Sequence, residues 1–284
     1  MILDKSKKII SGLYIVSTPI GNLEDITFRA INVLTKSDII LCEDTRRSYK
    51  LLSHYKIKKK LISYHKFNEK KMLQAIINLI EDKKIVSLIS DAGTPSISDP
   101  GALIVKECID KGINIFPIPG PSAVTAAISA SGFEGKYVFF GFLPKKISEL
   151  ERIFKNLVNL DYSLVFFISA KKINFYIEYF KIYFSNRNIF IAREMTKIYE
   201  SYISKKVDFL SEFPENFKGE LTIVLSKPFS KKNNKDLSES VKIKIKKMLK
   251  KYSHKDVVDF VSKNENLPKN IIYKYCLKIK KYDE

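Results

Sequence analysis

Ser90-Asp91-Ala92-Gly93-Thr94-Pro95-Ser96-Ile97-Ser98-Asp99-Pro100-Gly101 stands directly behind the apolar run Ile85-Val86-Ser87-Leu88-Ile89 and ahead of Ala102-Leu103-Ile104-Val105. An apolar run of strand length that ends in small residues, Gly and Pro, then restarts with helical spacing, reads as strand, loop and helix. Such a loop leaves backbone N–H and C=O groups free at the carboxyl edge of a sheet, where ligands of open α/β sheets bind.

The same pattern recurs outward from this loop. Leu13 to Ser17 is a strand followed by Thr18-Pro19-Ile20-Gly21-Asn22-Leu23-Glu24-Asp25-Ile26, and Thr27 caps a helix with Phe28, Ile31 and Leu34 on one face. Asp38 to Cys42 runs into Glu43-Asp44-Thr45-Arg46-Arg47 at the head of a helix ending near Tyr55. Leu61 to Tyr64 precedes His65-Lys66-Phe67-Asn68-Glu69, with Asn68 as the cap of a helix carrying Met72, Ile76, Leu79 and Ile80. Ile113 to Ile118 ends in Pro119-Gly120-Pro121-Ser122-Ala123, before a helix of small residues able to approach a sheet closely. Alternating strands and helices predict one parallel α/β domain over 1–135. The loop after the first strand is neither G-x-G-x-x-G nor G-x-x-x-x-G-K-[ST].

A second α/β domain is expected over 136–226, beginning with the apolar Tyr137-Val138-Phe139-Phe140-Gly141-Phe142-Leu143 and Pro144-Lys145-Lys146, with strands following at Ser163 to Ser169, Asn188 to Arg193 and Glu220 to Ser226 and helices at Ile147 to Leu160 and Ile173 to Phe184. Residues 227–238, with Lys231-Lys232-Asn233-Asn234-Lys235, read as a linker. Over 239–284, Val241, Ile245 and Leu249 mark one helix. Ser253 to Asp256 is a capping box opening a second with Val257, Phe260 and Val261, and Pro268 opens a third with Ile271, Ile272, Tyr275 and Leu277. Short helices with a basic last member suggest a helix-turn-helix-like module.

The 284 residues, 45% of them hydrophobic, suffice for buried cores. No apolar run approaches the roughly 20 residues of a membrane span, and the first ten residues are too short and charged for a secretory signal, so a cytoplasmic protein with no membrane partner is expected. Cys42, Cys108 and Cys276 are far apart and the three His are scattered, so no disulfide framework or protein-bound metal is expected. The net charge of +19 favours a polyanionic partner. Apart from Arg29, Arg46, Arg47, Arg152, Arg187 and Arg193 every basic residue is Lys, so an Arg beside acidic and Gly-rich motifs suggests a need for a planar, bidentate donor.

Taken in order, LYIVSTPIGNLEDIT (13–27), CEDTR (42–46), SYHKFNE (63–69), SDAGTPSISDPG (90–101), PGPSA (119–123), GFLPK (141–145), AREMTK (192–197), Gly219-Glu220 and KNIIYKY (269–275) resemble the ribosomal RNA small subunit methyltransferase I family of the tetrapyrrole methylase superfamily. The resemblance implies that superfamily's two-domain α/β fold, S-adenosylmethionine as methyl donor, a homodimer, and 2′-O-methylation of a decoding-centre cytidine in the 16S rRNA of the small subunit, with no DNA partner. It places Ile20, Asp91, Thr94, Ser122 and Ala123 near the donor, within loops that also carry Pro19, Gly21, Gly93 and Pro95. A base for the ribose hydroxyl is then sought among Asp25, Glu43, Asp44, His65 and Glu69. Arg46 is expected to orient phosphate or ribose, with Arg47, Asn68 and Lys145 also facing substrate.

One segment departs. Where the family usually has Phe-Tyr-Glu-Ser-Pro-His-Arg, this chain has Phe166-Phe167-Ile168-Ser169-Ala170-Lys171-Lys172, which removes any side-chain role of the Glu or Arg. The rival readings are therefore an RNA-binding or ribosome-assembly protein with impaired catalysis, and a small-molecule methyltransferase of tetrapyrrole type.

Overall fold

The computed structural model describes residues 9–229, 237, 239–249, 252–265 and 269–280. The expected linker segment Lys231 to Lys235, and Pro268, lie outside them. Backbone contacts divide the chain into two units, 1–228 and 229–284.

The first sheet holds β1 (Gly12–Val16), β2 (Ile39–Cys42), β3 (Lys60–Ser63), β4 (Ile85–Ile89) and β5 (Ile115–Ile118), in the order β3-β2-β4-β1-β5. All its pairings are parallel. Successive residues of a strand face opposite sides, and here both sides are covered. Leu13, Leu41, Val86 and Leu88 pack with Ile76, Ile77 and Ile80 of α3 (Glu69–Glu81) and Ile104 and Cys108 of α4 (Ala102–Asp110). Tyr14, Val16, Ile40 and Cys42 pack with Ala30, Val33 and Leu34 of α1 (Phe28–Lys36) and Leu52 of α2 (Thr45–His54). Each fully buried Leu, Ile or Val among them contributes about 2 kcal/mol. From β1 the chain crosses to the β2 side of the sheet, and from β4 it crosses to the β5 side. The helices that follow these two strands, α1 and α4, lie on opposite faces, so the neighbouring β1 and β4 loops stand side by side at the carboxyl edge and form one wall of a crevice there.

The second sheet, β6-β7-β10-β8-β9, is mixed. β6 (Tyr137–Phe142) and β7 (Ser163–Ser169) are parallel, whereas β10 (Glu220–Leu225), β8 (Asn188–Arg193) and β9 (Ser201–Lys206) pair antiparallel. One face is covered by α6 (Ile147–Leu157) and α7 (Ile173–Phe184), through Phe154, Phe166, Phe180 and Phe184. On the other face Val165, Phe190, Ala192 and Val224 pack against Val124 and Ala127 of α5 (Ala123–Ser131). The small side chains of α5 thus bring a helix that follows the first sheet against the second.

In the second unit, α8 (Glu239–Leu249), α9 (His254–Glu265) and α10 (Lys269–Lys280) share a core of Val241, Ile245, Val257, Val258, Val261, Ile272 and Cys276. The Ser253 hydroxyl accepts from the Asp256 N–H at 3.3 Å, as its capping box requires.

Some details differ from the sequence reading. Phe28 is 94% exposed, and Ala30 and Val33 take the buried positions beside Leu34. Phe260 and Leu277 are also exposed, with Val258 and Cys276 buried instead. Asn68 does not cap α3; its side chain accepts from the His65 N–H at 2.8 Å and donates to the Ser63 carbonyl at 2.9 Å, closing the loop onto β3. The edge strand β9 was not expected, since Ser201-Tyr202-Ile203-Ser204-Lys205-Lys206 is mostly polar and leaves one side open to water.

Candidate active site

The loops after β1, β4 and β5 are fastened to one another. Thr18 and Gly93 exchange backbone hydrogen bonds of 2.9 and 3.0 Å, and the Thr18 hydroxyl donates to the Ser90 carbonyl at 3.1 Å. The Ser17 and Thr94 hydroxyls meet at 2.9 Å, and the Thr94 hydroxyl reaches the Pro121 carbonyl at 3.3 Å. From the loop after β2, the Asp44 N–H donates to Asp91 Oδ1 at 3.2 Å, and Arg47 Nη1 meets Asp91 Oδ2 at 3.1 Å. Asp91 therefore joins two loops while facing the crevice.

The second sheet closes this crevice. The Asn22 N–H donates to the Thr196 hydroxyl at 2.9 Å, and Gly21 lies so near the loop after β8 that a Cβ there would stand 2.5 Å from Lys197 Cγ. Any residue larger than glycine would push the two loops apart. Lys197 bridges Glu194 at 3.0 Å and Glu220 at 2.9 Å. Glu194 and Thr196 have φ of 49° and 65°, left-handed backbone held in place by these contacts.

Between the sheets lies a cavity of about 470 Å³. Its walls include Ile20, Gly93, Thr94, Ser122 and Ala123 from the first sheet's loops, and Phe142, Phe167, Met195 and Leu221 from the second. Five carboxylates line it, Glu43, Asp91, Asp99, Glu194 and Glu220, beside two cations, Arg47 and Lys197. Burial, then the charges of Glu43 and Asp91, push the Asp99 carboxyl up to about 6, against a hydrogen bond from Ser90. Burial and Asp91 likewise raise Glu43, while His65 and Arg47 oppose the shift. Among the described residues no group of three or more His, Cys, Asp or Glu is placed to hold a metal ion.

Of the expected donor-site residues, Ile20, Asp91, Gly93, Thr94, Ser122 and Ala123 line the cavity; Pro19, Gly21 and Pro95 belong to the same loops without lining it. Of the candidate bases only Glu43 lines it. Asp44 caps α2 and grips Arg46 through bonds of 3.1 and 2.7 Å, which hold its carboxyl far below the usual range. Arg46 points away into solvent, its side chain 87% exposed, and Arg47 is the arginine at the cavity. Asp25, His65, Asn68, Glu69 and Lys145 lie outside the lining, although His65 is near enough to bias Glu43. The sequence reading missed Asp99, Glu194, Lys197 and Glu220. All four stand inside the quoted motifs, so the signal was present; what it lacked was the fold that brings residues 91, 99 and 194 together. In the departing segment, Ile168 is buried in the second sheet's core and also borders the cavity.

A parallel sheet whose loop crevice is closed by a second, mixed sheet is the architecture of a known methylase class. The family described as Tetrapyrrole (Corrin/Porphyrin) Methylases matches residues 12–209. Solved structures agree in fold. A cobalt precorrin-4 methyltransferase superposes with TM-score 0.56 at 17% identity, covering 75% of this chain and 94% of its own. A Thermus thermophilus uroporphyrin-III C-methyltransferase complexed with S-adenosylhomocysteine gives 0.52 at 12% identity, covering 76% and 97%. Among curated sequences, the ribosomal RNA small subunit methyltransferase I of Rickettsia prowazekii is 47% identical over 219 residues, 76% of this chain and 78% of that protein. The protein of the same name from Neisseria meningitidis serogroup B is 36% identical over 278 residues, 96% and 95%. The chain belongs to the tetrapyrrole methylase family and, within it, to the ribosomal RNA small subunit methyltransferase I group.

Proposed function

We propose that this protein transfers a methyl group from S-adenosylmethionine to the ribose 2′-oxygen of a decoding-centre cytidine in 16S rRNA. The observation that carries the reading is the acid-lined cavity at the β1/β4 crevice of a chain in this methyltransferase group. Its volume falls within the range of small-molecule sites, and its excess of carboxylates suits a donor bearing a sulfonium and an ammonium. Ile20, Gly93, Thr94, Ser122 and Ala123 would hold the donor, with Asp91 fixing the loops around it. When bound, that donor supplies a methyl group on a positively charged sulfur.

The chain's own residues position the acceptor and take its proton. A ribose hydroxyl is a weak nucleophile until its proton leaves, and holding it at near-attack distance is the larger part of the task. Asp99 is the proton acceptor in this reading. Its carboxyl is ionised at neutral pH yet retains basicity that exposed carboxylates lack. Glu43 and Asp91 maintain that basicity, and Arg47 neutralises Asp91.

The test is incubation of the protein and donor with small ribosomal subunits from cells lacking this methylation, followed by mass spectrometry of the nucleosides. A 2′-O-methylcytidine is expected. Methyl groups on a base, on a small molecule or nowhere would overturn the reading.

A further inference from the structure

The lining of the cavity is acidic, five carboxylates against two cations, in a chain of net charge +19. A phosphodiester drawn inside would meet like charge, so a nucleotide can present its ribose only if its flanking phosphates stay outside. Something at the mouth has to hold them.

Strands β6 and β7 run parallel with Phe142 opposite Phe167, and both rings line the cavity. Lys145 follows three residues after Phe142, with Lys146 next. Lys171 and Lys172 follow two and three residues after the lining residue Ser169. The Tyr176 hydroxyl reaches the Leu143 and Pro144 carbonyls at 3.2 Å each, which fastens α7 to the chain leaving β6. The two exits therefore cannot drift apart.

Lys145, Lys146 and Lys171 are exposed and Lys172 is half-buried. None of the four makes an ion pair with a carboxylate among the described residues. Partial desolvation, then the adjacent Lys145 ammonium, pull the Lys172 amine below its usual range. Two ammonium groups in contact, with no acid to neutralise them, repel each other until an anion lies between them. Helices α6 and α7 also begin here without side-chain caps, which adds partial positive charge to the same place.

We propose that Lys145, Lys146, Lys171 and Lys172 form a phosphodiester-binding site at the cavity mouth, holding the RNA backbone beside the ribose to be methylated. This deepens the rRNA reading and rests on it.

The experiment compares the full-length protein with the double variant Lys171→Ala/Lys172→Ala and with Lys171→Arg/Lys172→Arg. Binding to small ribosomal subunits lacking the methylation is measured across a salt series, and donor binding by calorimetry. The alanine variant is expected to raise KM for subunits about tenfold and to flatten the slope of log affinity against log salt by about one unit per lysine lost. Its donor affinity should match the parent's, and the arginine variant should recover subunit binding. An unchanged slope and KM in the alanine variant, with an active parent, overturns the lysine site alone. Loss of donor affinity also overturns it, because the lysines would then belong to the donor site. A parent that neither binds nor methylates the subunits overturns the rRNA reading, and the lysine site falls with it.

Discussion

Asp99 and Arg187 show what single positions are asked to do. Asp99 holds its proton to about pH 6 in the folded protein, whereas an unfolded Asp releases it near pH ~4. Between those values the folded state binds more protons, so stability falls as pH rises across the window. Asp99→Asn should accordingly match the parent's melting temperature below pH ~4 and exceed it above about 6. If Asp99 accepts the ribose proton, parental turnover rises with pH through about 6, and the Asn variant loses both that limb and most of its rate. A variant with the parent's pH profile would remove Asp99 from the chemistry. Arg187 teaches a different lesson. It is fully buried and donates to the carbonyls of Tyr162, Ser226, Val158 and Leu160 at 2.6 to 3.2 Å, with burial pushing it down to about 10. Arg187→Lys keeps a charge but cannot span four acceptors, and should cost on the order of 3 kcal/mol in denaturant unfolding. The sequence reading expected a need for the planar fork at an Arg beside acidic and Gly-rich motifs, and Arg187, between Asn186 and Asn188, stands in no such motif. Arg46 was its choice, yet Arg46 grips Asp44 in solvent while Arg47 meets the cavity, because one position along a helix turns a side chain through about 100°.

At the scale of elements, the apolar runs made eight of the ten strands legible, with β6 marked only as the start of the second half, and Gly, Pro and Asn clusters marked the loops between them. β9 escaped because an edge strand needs no continuous apolar run, and Asn68 was misread because a side chain ahead of a helix has partners on both sides to choose from. The loops after β1, β4 and β5 were legible as loops at strand ends. The wall facing them was not, since it comes from β6, β7, β10 and the loop after β8, parts of a mixed sheet whose strand order no local pattern specifies. The helices α8 to α10 have their own small core, and the segment from Lys227 onward carries 17 Lys against 7 acids. If this tail docks RNA, a chain ending at Lys227 should bind small subunits more weakly, with a flatter salt dependence, while keeping its donor affinity in calorimetry. Failure of the shortened chain to fold would instead give the tail a structural role.

For the whole molecule, we expect a homodimer, as the family resemblance implies. Light scattering should give about twice the 32.8 kDa chain mass, and a monomer at every concentration would contradict this. The ordered motifs reach from Leu13 to Tyr275, which is why the family was readable from sequence, whereas a second chain's surface leaves no comparable local pattern. None of the helices among the described residues is long and apolar enough to cross a membrane. The joining of the two sheets has a consequence for cooperativity. The Asn22–Thr196 bond, the close approach at Gly21 and the packing of α5 on β8 and β10 mean that opening one sheet exposes the other. The two should then behave as one foldon, with amides of β1 and β4 exchanging hydrogen for deuterium at the same opening free energy as those of β7 and β10. If the loops after β1, β4 and β5 hold the donor, as proposed, a molecule built this way does not release it by melting half of itself, and donor exchange proceeds through motion of the loops alone.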